Sequence, residues 1–166
     1  MYRELLVPTD GGQGMSRVIN EAIDLATLCD ARVHALHAID ETVYTSIPED
    51  ARETVRQRLS EDGEDATRTV AKRAIEAGLE TKREVRWGPP PHSIIRYAIE
   101  NEIDLIVMGT HGRTGYERYL LGSVAERVVR FAPVPVLTVD LEDRSDVDAA
   151  EYGLIPHLAT DESPEE

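Results

Sequence analysis

Short apolar runs recur along this chain, and after each of them apolar residues return every three or four positions. The runs have the period of strands and the stretches between them that of helices, so strand and helix alternate. Residues 4–10 read as a first strand, stopped by Gly11-Gly12. Val18, Ala22, Leu25, Ala26 and Cys29 then recur at helical spacing to about Asp30, and Arg32–Ile39 reads as a second strand. Residues 40–47 form a loop, and Pro48 suits a first helical turn. Residues 49–77 make a long charged helix, weakened or broken at Gly63 and ended by Gly78 as C-cap.

Residues 84–87 read as a third strand closed by Gly88, and a helix from about Pro91 is expected to bury Ile94, Ile95, Ala98 and Ile99. Residues 103–108 are the most continuously apolar run, as in a central parallel strand covered on both faces. Ala125, Val128, Val129 and Ala132 mark the last helix; residues 134–139 form the last strand, which Pro135 pushes to a sheet edge. Such alternation implies an α/β domain with a mainly parallel sheet.

The length of 166 residues fits one domain with a sizeable core. The net charge is −14, unevenly spread: from Leu141 onward nine acids face one base, Arg144, which leaves −6 on residues 1–140. The expected division is a domain over 1–140 and an acidic, mobile tail over 141–166. Broad nucleic-acid binding needs a basic surface and is not expected. Only Lys72 and Lys82 are lysines, and an acidic, lysine-poor surface suits a halophile. No apolar stretch reaches the ~18 residues of a membrane helix. The lone Cys29 and the absence of a signal-peptide layout point to the cytoplasm.

The chemistry concentrates in Ile106-Val107-Met108-Gly109-Thr110-His111-Gly112-Arg113, answered by Gly122-Ser123. A strand ends in glycine, a loop follows, and a second glycine and a serine open a helix. Glycines let backbone N–H groups approach a phosphate, and a helix start adds donors and partial positive charge. Ser123-Val124-Ala125-Glu126 also matches a capping box with Ser123 as N-cap, which by itself needs no ligand. Open parallel sheets bind ligands beyond the strand ends where the winding reverses. If the first and fourth strands are neighbours there, Asp10 and Gly109 emerge side by side.

Gly109-x2-Gly112-x9-Gly122-Ser123, with Val7-Pro8-Thr9-Asp10-Gly11, Gly88-x-Pro90-x-x-x-Ile94 and Val134-Pro135-Val136-Leu137 in order, resembles the ATP-binding branch of the universal stress protein family. The likeness spans residues 3–139. It implies a Rossmann-like, doubly wound five-stranded parallel sheet of order 3-2-1-4-5, helices on both faces, ATP (or ADP or AMP) between the first and fourth strands, and a homodimer. The nucleotide site it implies comprises Pro8, Thr9, Asp10, Ile39, Met108, Gly109, His111, Gly112, Arg113, Gly122, Ser123 and Val124. Asp10 would approach the ribose or a metal, and the backbone near Ile39 would read adenine. Gly109 would lie near the ribose. Gly112, Gly122, Ser123 and Val124 would hold the phosphates and Arg113 would neutralise them. Mg2+ would accompany the phosphates rather than sit in a protein cage. Many relatives carry serine where this chain has Gly12. The strand at 134–139 would be the dimer seam.

Other motifs are set aside. Gly-x-x-x-x-Gly-Lys-Ser/Thr is absent, and Gly11-Gly12-Gln13-Gly14 does not complete a dinucleotide fingerprint. His34 and His37 fall on opposite faces of one strand. His92 and His111 read as loop polarity, and Cys29, Trp87 and Tyr97 as packing residues. No partner for Asp10 orients a water, so no catalytic residue is assigned. The reading is a nucleotide-binding regulatory dimer. Its alternatives are a slow ATPase or autophosphorylating protein using Thr110, Thr114 or Ser123, and a nucleotide-free interaction module with an unnamed protein partner.

Overall fold

The computed structural model describes residues 1–44, 47–110 and 121–141. Its elements run β1 (Glu4–Pro8), α1 (Met15–Cys29), β2 (Arg32–Ile39), a 3-10 turn (Glu41–Tyr44), α2 (Glu49–Glu76), β3 (Thr81–Trp87), α3 (Pro90–Glu100), β4 (Leu105–Gly109), α4 (Ser123–Phe131) and β5 (Val136–Val139). The five strands are parallel in the order β3-β2-β1-β4-β5. Asp104 helps set the β1/β4 register: its carboxylate accepts the Arg3 N–H at 2.7 Å and the Glu4 N–H at 3.0 Å. Those bonds hold its carboxyl below the usual aspartate range.

Alternate residues of the central strands supply two cores. Leu5, Val7, Val33, Ala35 and Val107 meet Val18, Ala22 and Ala26 of α1 and Val70 and Ala74 of α2. Leu6, Leu36, Ile106 and Met108 face the other way, onto Ile94, Tyr97 and Ala98 of α3 and Ala125 and Val128 of α4. Burial on both faces explains why the central strands read as continuous apolar runs. Each large aliphatic side chain so placed contributes about 1.5–3 kcal/mol. Because β1 feeds α1 on one face and β4 feeds α4 on the other, the winding reverses between β1 and β4.

Several expectations need correction. Gly63 does not break α2, which runs unbroken from Glu49 to Glu76. The glycine is there for packing: a Cβ at residue 63 would lie 2.8 Å from His37 Cδ2 and 3.0 Å from Val85 Cγ1. Alanine normally stabilises a helix interior over glycine by about 1 kcal/mol. Here Gly63→Ala is expected to destabilise by about 1–2 kcal/mol, because the methyl crowds the His37 ring and Val85 beneath the helix. A urea midpoint equal to or above wild type would contradict the close-approach role.

Ile99 and Val129, expected in the core, are 62% and 47% exposed. Each lies one step round its helix from the stripe that meets the sheet. β1 stops at Pro8, where Thr9 and Asp10 close turns on the Gly11 and Gly12 N–H groups, and β5 starts only at Val136, because Pro135 donates no N–H to a ladder. β3 begins earlier than expected, at Thr81, because it pairs with β2 from Val33 onward. β5 does occupy an edge, and Cys29 packs against the α1-side core. Leu141, at the start of the expected tail, packs on the same core, and its Cβ would be 2.8 Å from a Cβ at Gly14. The rest of that tail lies outside the described residues.

His34 is 2% exposed on the α3 side of the sheet, with Nδ1 2.9 Å from the Tyr97 hydroxyl and Nε2 2.5 Å from a Glu4 carboxylate oxygen. An ionised carboxylate only accepts, so Nε2 carries the proton and the tyrosine O–H donates to Nδ1. Burial lowers the histidine's pKa from its ordinary 6.5 against the opposing pull of Glu4. The folded protein therefore binds this proton less readily than the unfolded chain does. Its contribution to stability is complete above the unfolded histidine's pKa and declines as pH falls through about 6.5 towards the lower folded value. Urea midpoints are expected to drop between pH 7.5 and 5.5, and less steeply in His34→Gln. Equal slopes in the two proteins would remove His34 as the cause.

Candidate functional site

Parallel strands deliver all their C-terminal ends to one edge, so the turns after β1, β2 and β4 share it. At the end of β1 the chain folds into two successive side-chain turns. Thr9 Oγ1 accepts the Gly11 N–H at 3.2 Å, and Asp10 Oδ1 accepts the Gly12 N–H at 2.8 Å. Gly11 takes φ +72°, which a residue with a Cβ rarely adopts. A Cβ at Gly12 would fall 3.0 Å from Asp10 Oδ1, so glycine here lets the aspartate fold back on its own loop. The absence of a side chain at residue 12 leaves this turn room.

At the end of β4 the two ends of the glycine loop meet. Thr110 N–H bonds the Val139 carbonyl at 2.9 Å, extending the pairing with β5. Gly122 N–H then bonds the Thr110 carbonyl at 2.7 Å. This bond brings Gly109 and Thr110 beside Gly122 and Ser123, although about a dozen positions separate them in the chain. α4 begins there, and its N-cap is Gly122 rather than the expected Ser123. Gly122 is extended (φ −57°, ψ 148°), and its carbonyl accepts the Glu126 N–H at 2.8 Å. The expected capping box is therefore not formed. With a glycine in the cap position, no side chain caps the helix. The first-turn amides, at Ser123, Val124 and Ala125, are the groups a helix leaves without internal partners.

The remaining assigned positions divide by what they present. Pro8, Ile39 and Met108 have buried side chains, so only their backbone is available to a ligand. The Ile39 carbonyl already accepts the Gly88 N–H at 2.9 Å. Thr9 is also buried, whereas Asp10, Gly109, Gly122 and Val124 are half-buried and Ser123 is exposed. His111, Gly112 and Arg113 lie outside the described residues. Among the described residues no cluster of three His, Cys, Asp or Glu could hold a metal, and Asp10 is the one assigned residue with a carboxylate.

Two features were not anticipated. His37, set aside because it and His34 fall on opposite faces of one strand, lies 2.7 Å through Nδ1 from the Thr9 carbonyl. No local motif marks it, since the contact crosses between strands. A groove of about 580 Å3 also opens between the first two helices, lined by Gly11, Gly12, Met15, Ile19, Ala66, Thr69, Lys72 and Arg73 among others. It lies on the α1 side of the loop that carries Asp10.

Residues 1–140 match the model of the universal stress protein family. The chain is 40% identical over 140 residues to universal stress protein MJ0531 of Methanocaldococcus jannaschii, covering 84% of this chain and 82% of that one. Among solved structures, hypothetical protein MJ0577 superposes with a TM-score of 0.76 at 31% identity, covering 84% of this chain and 96% of that one. A universal stress protein of Archaeoglobus fulgidus, solved in complex with dAMP, has the same fold at a TM-score of 0.60 and 21% identity, covering 82% and 97%. No described helix is long and apolar enough to cross a membrane.

Proposed function

Because the chain belongs to the universal stress protein family, we propose that it is a regulatory protein that binds ATP in the crevice between β1 and β4. The observation that carries this reading is the Thr110–Gly122 hydrogen bond, which sets the glycine-capped start of α4 at the C-terminal end of β4. An anion held there gains several N–H donors and the positive end of the helix dipole. The dAMP complex of the Archaeoglobus fulgidus protein is an adenine nucleotide on this fold. The assignment to this chain rests on its own glycines.

In this reading Gly122, Ser123 and Val124 hold the phosphates together with Gly112 and Arg113. Asp10 meets the ribose or an accompanying Mg2+. The metal is shared with phosphate oxygens, as magnesium commonly is, and needs one carboxylate rather than a cage. Purified protein is expected to carry a nucleotide mass in native mass spectrometry, or to bind added ATP with Mg2+ in calorimetry. An empty protein that gives no heat with ATP, ADP or AMP would end the proposal.

The same reading includes a homodimer through β5. That strand forms a sheet edge with Leu137 37% exposed, and the neighbouring α4 leaves Val129 and Phe131 47% and 63% exposed. An open, apolar edge invites pairing. Light scattering at micromolar concentration is expected to give twice the chain mass, and Leu137→Asp to give the monomer. A monomeric wild type would remove the seam.

A further inference from the structure

β1 leaves the sheet just beyond the end of its ladder with β2. The last paired residues are Pro8 and Leu36, and the next N–H, that of Thr9, still reaches the Leu36 carbonyl at 2.9 Å. The Thr9 carbonyl is held by a side chain instead, with His37 Nδ1 2.7 Å away. A carbonyl only accepts, so the imidazole donates and carries a proton on Nδ1. The other side of the ring lies against α2. A Cβ at Gly63 would come within 2.8 Å of His37 Cδ2 and 3.3 Å of Cγ, so bare helix backbone backs the imidazole.

We infer that His37 is a positioning residue for the nucleotide loop, fixing the Thr9–Asp10 peptide and so the direction in which Asp10 and its turn enter the crevice. This rests on the nucleotide-binding reading above. The Thr9 carbonyl belongs to the peptide that joins Thr9 to Asp10. If that peptide rotates, the Asp10 carboxylate and the turn it closes on the Gly12 N–H at 2.8 Å are re-aimed together. His37 acts through that peptide and does not itself touch the ligand. Gly63 belongs to the same device, because any side chain there displaces the ring.

The test compares wild type, His37→Leu, His37→Asn and Gly63→Ala by calorimetry with ATP and Mg2+, and by the amide NMR signals of Gly11 and Gly12 without nucleotide. Asparagine places an amide N–H where Nδ1 stands, whereas leucine fills the volume without a donor. His37→Leu is expected to weaken ATP binding about tenfold, the worth of a strong hydrogen bond, and to shift both glycine signals. His37→Asn is expected to stay within about threefold of wild type. Wild-type affinity in His37→Leu overturns the inference, and so does equal loss in leucine and asparagine variants, which would mean packing alone. If His37→Leu does not fold, Gly63→Ala decides: weaker binding with shifted Gly11 and Gly12 signals supports the link, and wild-type affinity overturns it. If wild type itself does not bind, the nucleotide reading has failed. The glycine signals then judge the His37–Thr9 link alone, and unshifted signals in His37→Leu reject it.

Discussion

Gly122→Val is expected to weaken ATP binding at least ~100-fold while leaving the protein folded. The loss corresponds to about two charge-assisted hydrogen bonds at ~1.5 kcal/mol each. Gly122 is the N-cap of α4 and lies next to the first-turn amides. A branched side chain there occupies the space in which phosphate oxygens would meet those amides. The backbone does not object, because φ −57° and ψ 148° are open to any L residue. The two bonds that fix the position, Gly122 N–H to Thr110 and Glu126 N–H to Gly122, use main-chain atoms only and survive the change. The decisive comparison is calorimetry with ATP beside a thermal melt. Unchanged affinity in a folded variant would mean that no phosphate sits at the start of α4. Lost affinity with an unchanged melt separates a ligand role from a structural one.

The largest effect on stability is expected from Tyr97→Ala, at about 4 kcal/mol. Tyr97 is fully buried in the last turn of α3 and joins four kinds of interaction. Its ring packs in the core with Leu6, Leu36, Ile94 and Ile106. It packs edge-to-face with His34, with centroids 5.7 Å apart, and its face lies 4.7 Å from the Arg86 guanidinium. Its hydroxyl serves His34 Nδ1 at 2.9 Å. Burial, with Glu84 nearby, pushes that hydroxyl's pKa up to about 12, so it remains a donor across the working range. Tyr97→Phe isolates the hydroxyl and is expected to cost about 1–2 kcal/mol, because it strands a buried imidazole nitrogen. Urea unfolding orders the three proteins. A phenylalanine variant as stable as wild type would show that His34 finds another partner.

How much of this could be read from the chain differs by element. β2 was legible residue for residue, because its apolar run is bounded by Asp30 and Asp40 and flanked by clear helical spacing. α2 was legible in length but not in its middle. Gly63 is a helix breaker by local propensity, and only the approach of His37 and Val85 shows why glycine belongs there. The start of α4 was misplaced by one residue. The sequence offers Ser123 and Glu126 as a matched pair, whereas the Thr110 carbonyl, brought in by β4, fixes the Gly122 N–H and makes the glycine the cap. The glycine motif itself was legible, since its spacing is local. His37 was not, because its partner is the main-chain carbonyl of a residue 28 positions away.

Periodicity, glycine placement and the order of elements therefore determined the parallel α/β sheet and directed attention to the loops after β1 and β4. These signals depend on each residue and its near neighbours, which is the range over which backbone preference and amphipathic spacing act. The tertiary structure decided which amides stand uncapped, why Gly63 and Gly12 carry no side chain, and which histidine holds the Asp10 loop. Those outcomes depend on distances between segments that meet only once the sheet has assembled, and no local pattern encodes such a meeting.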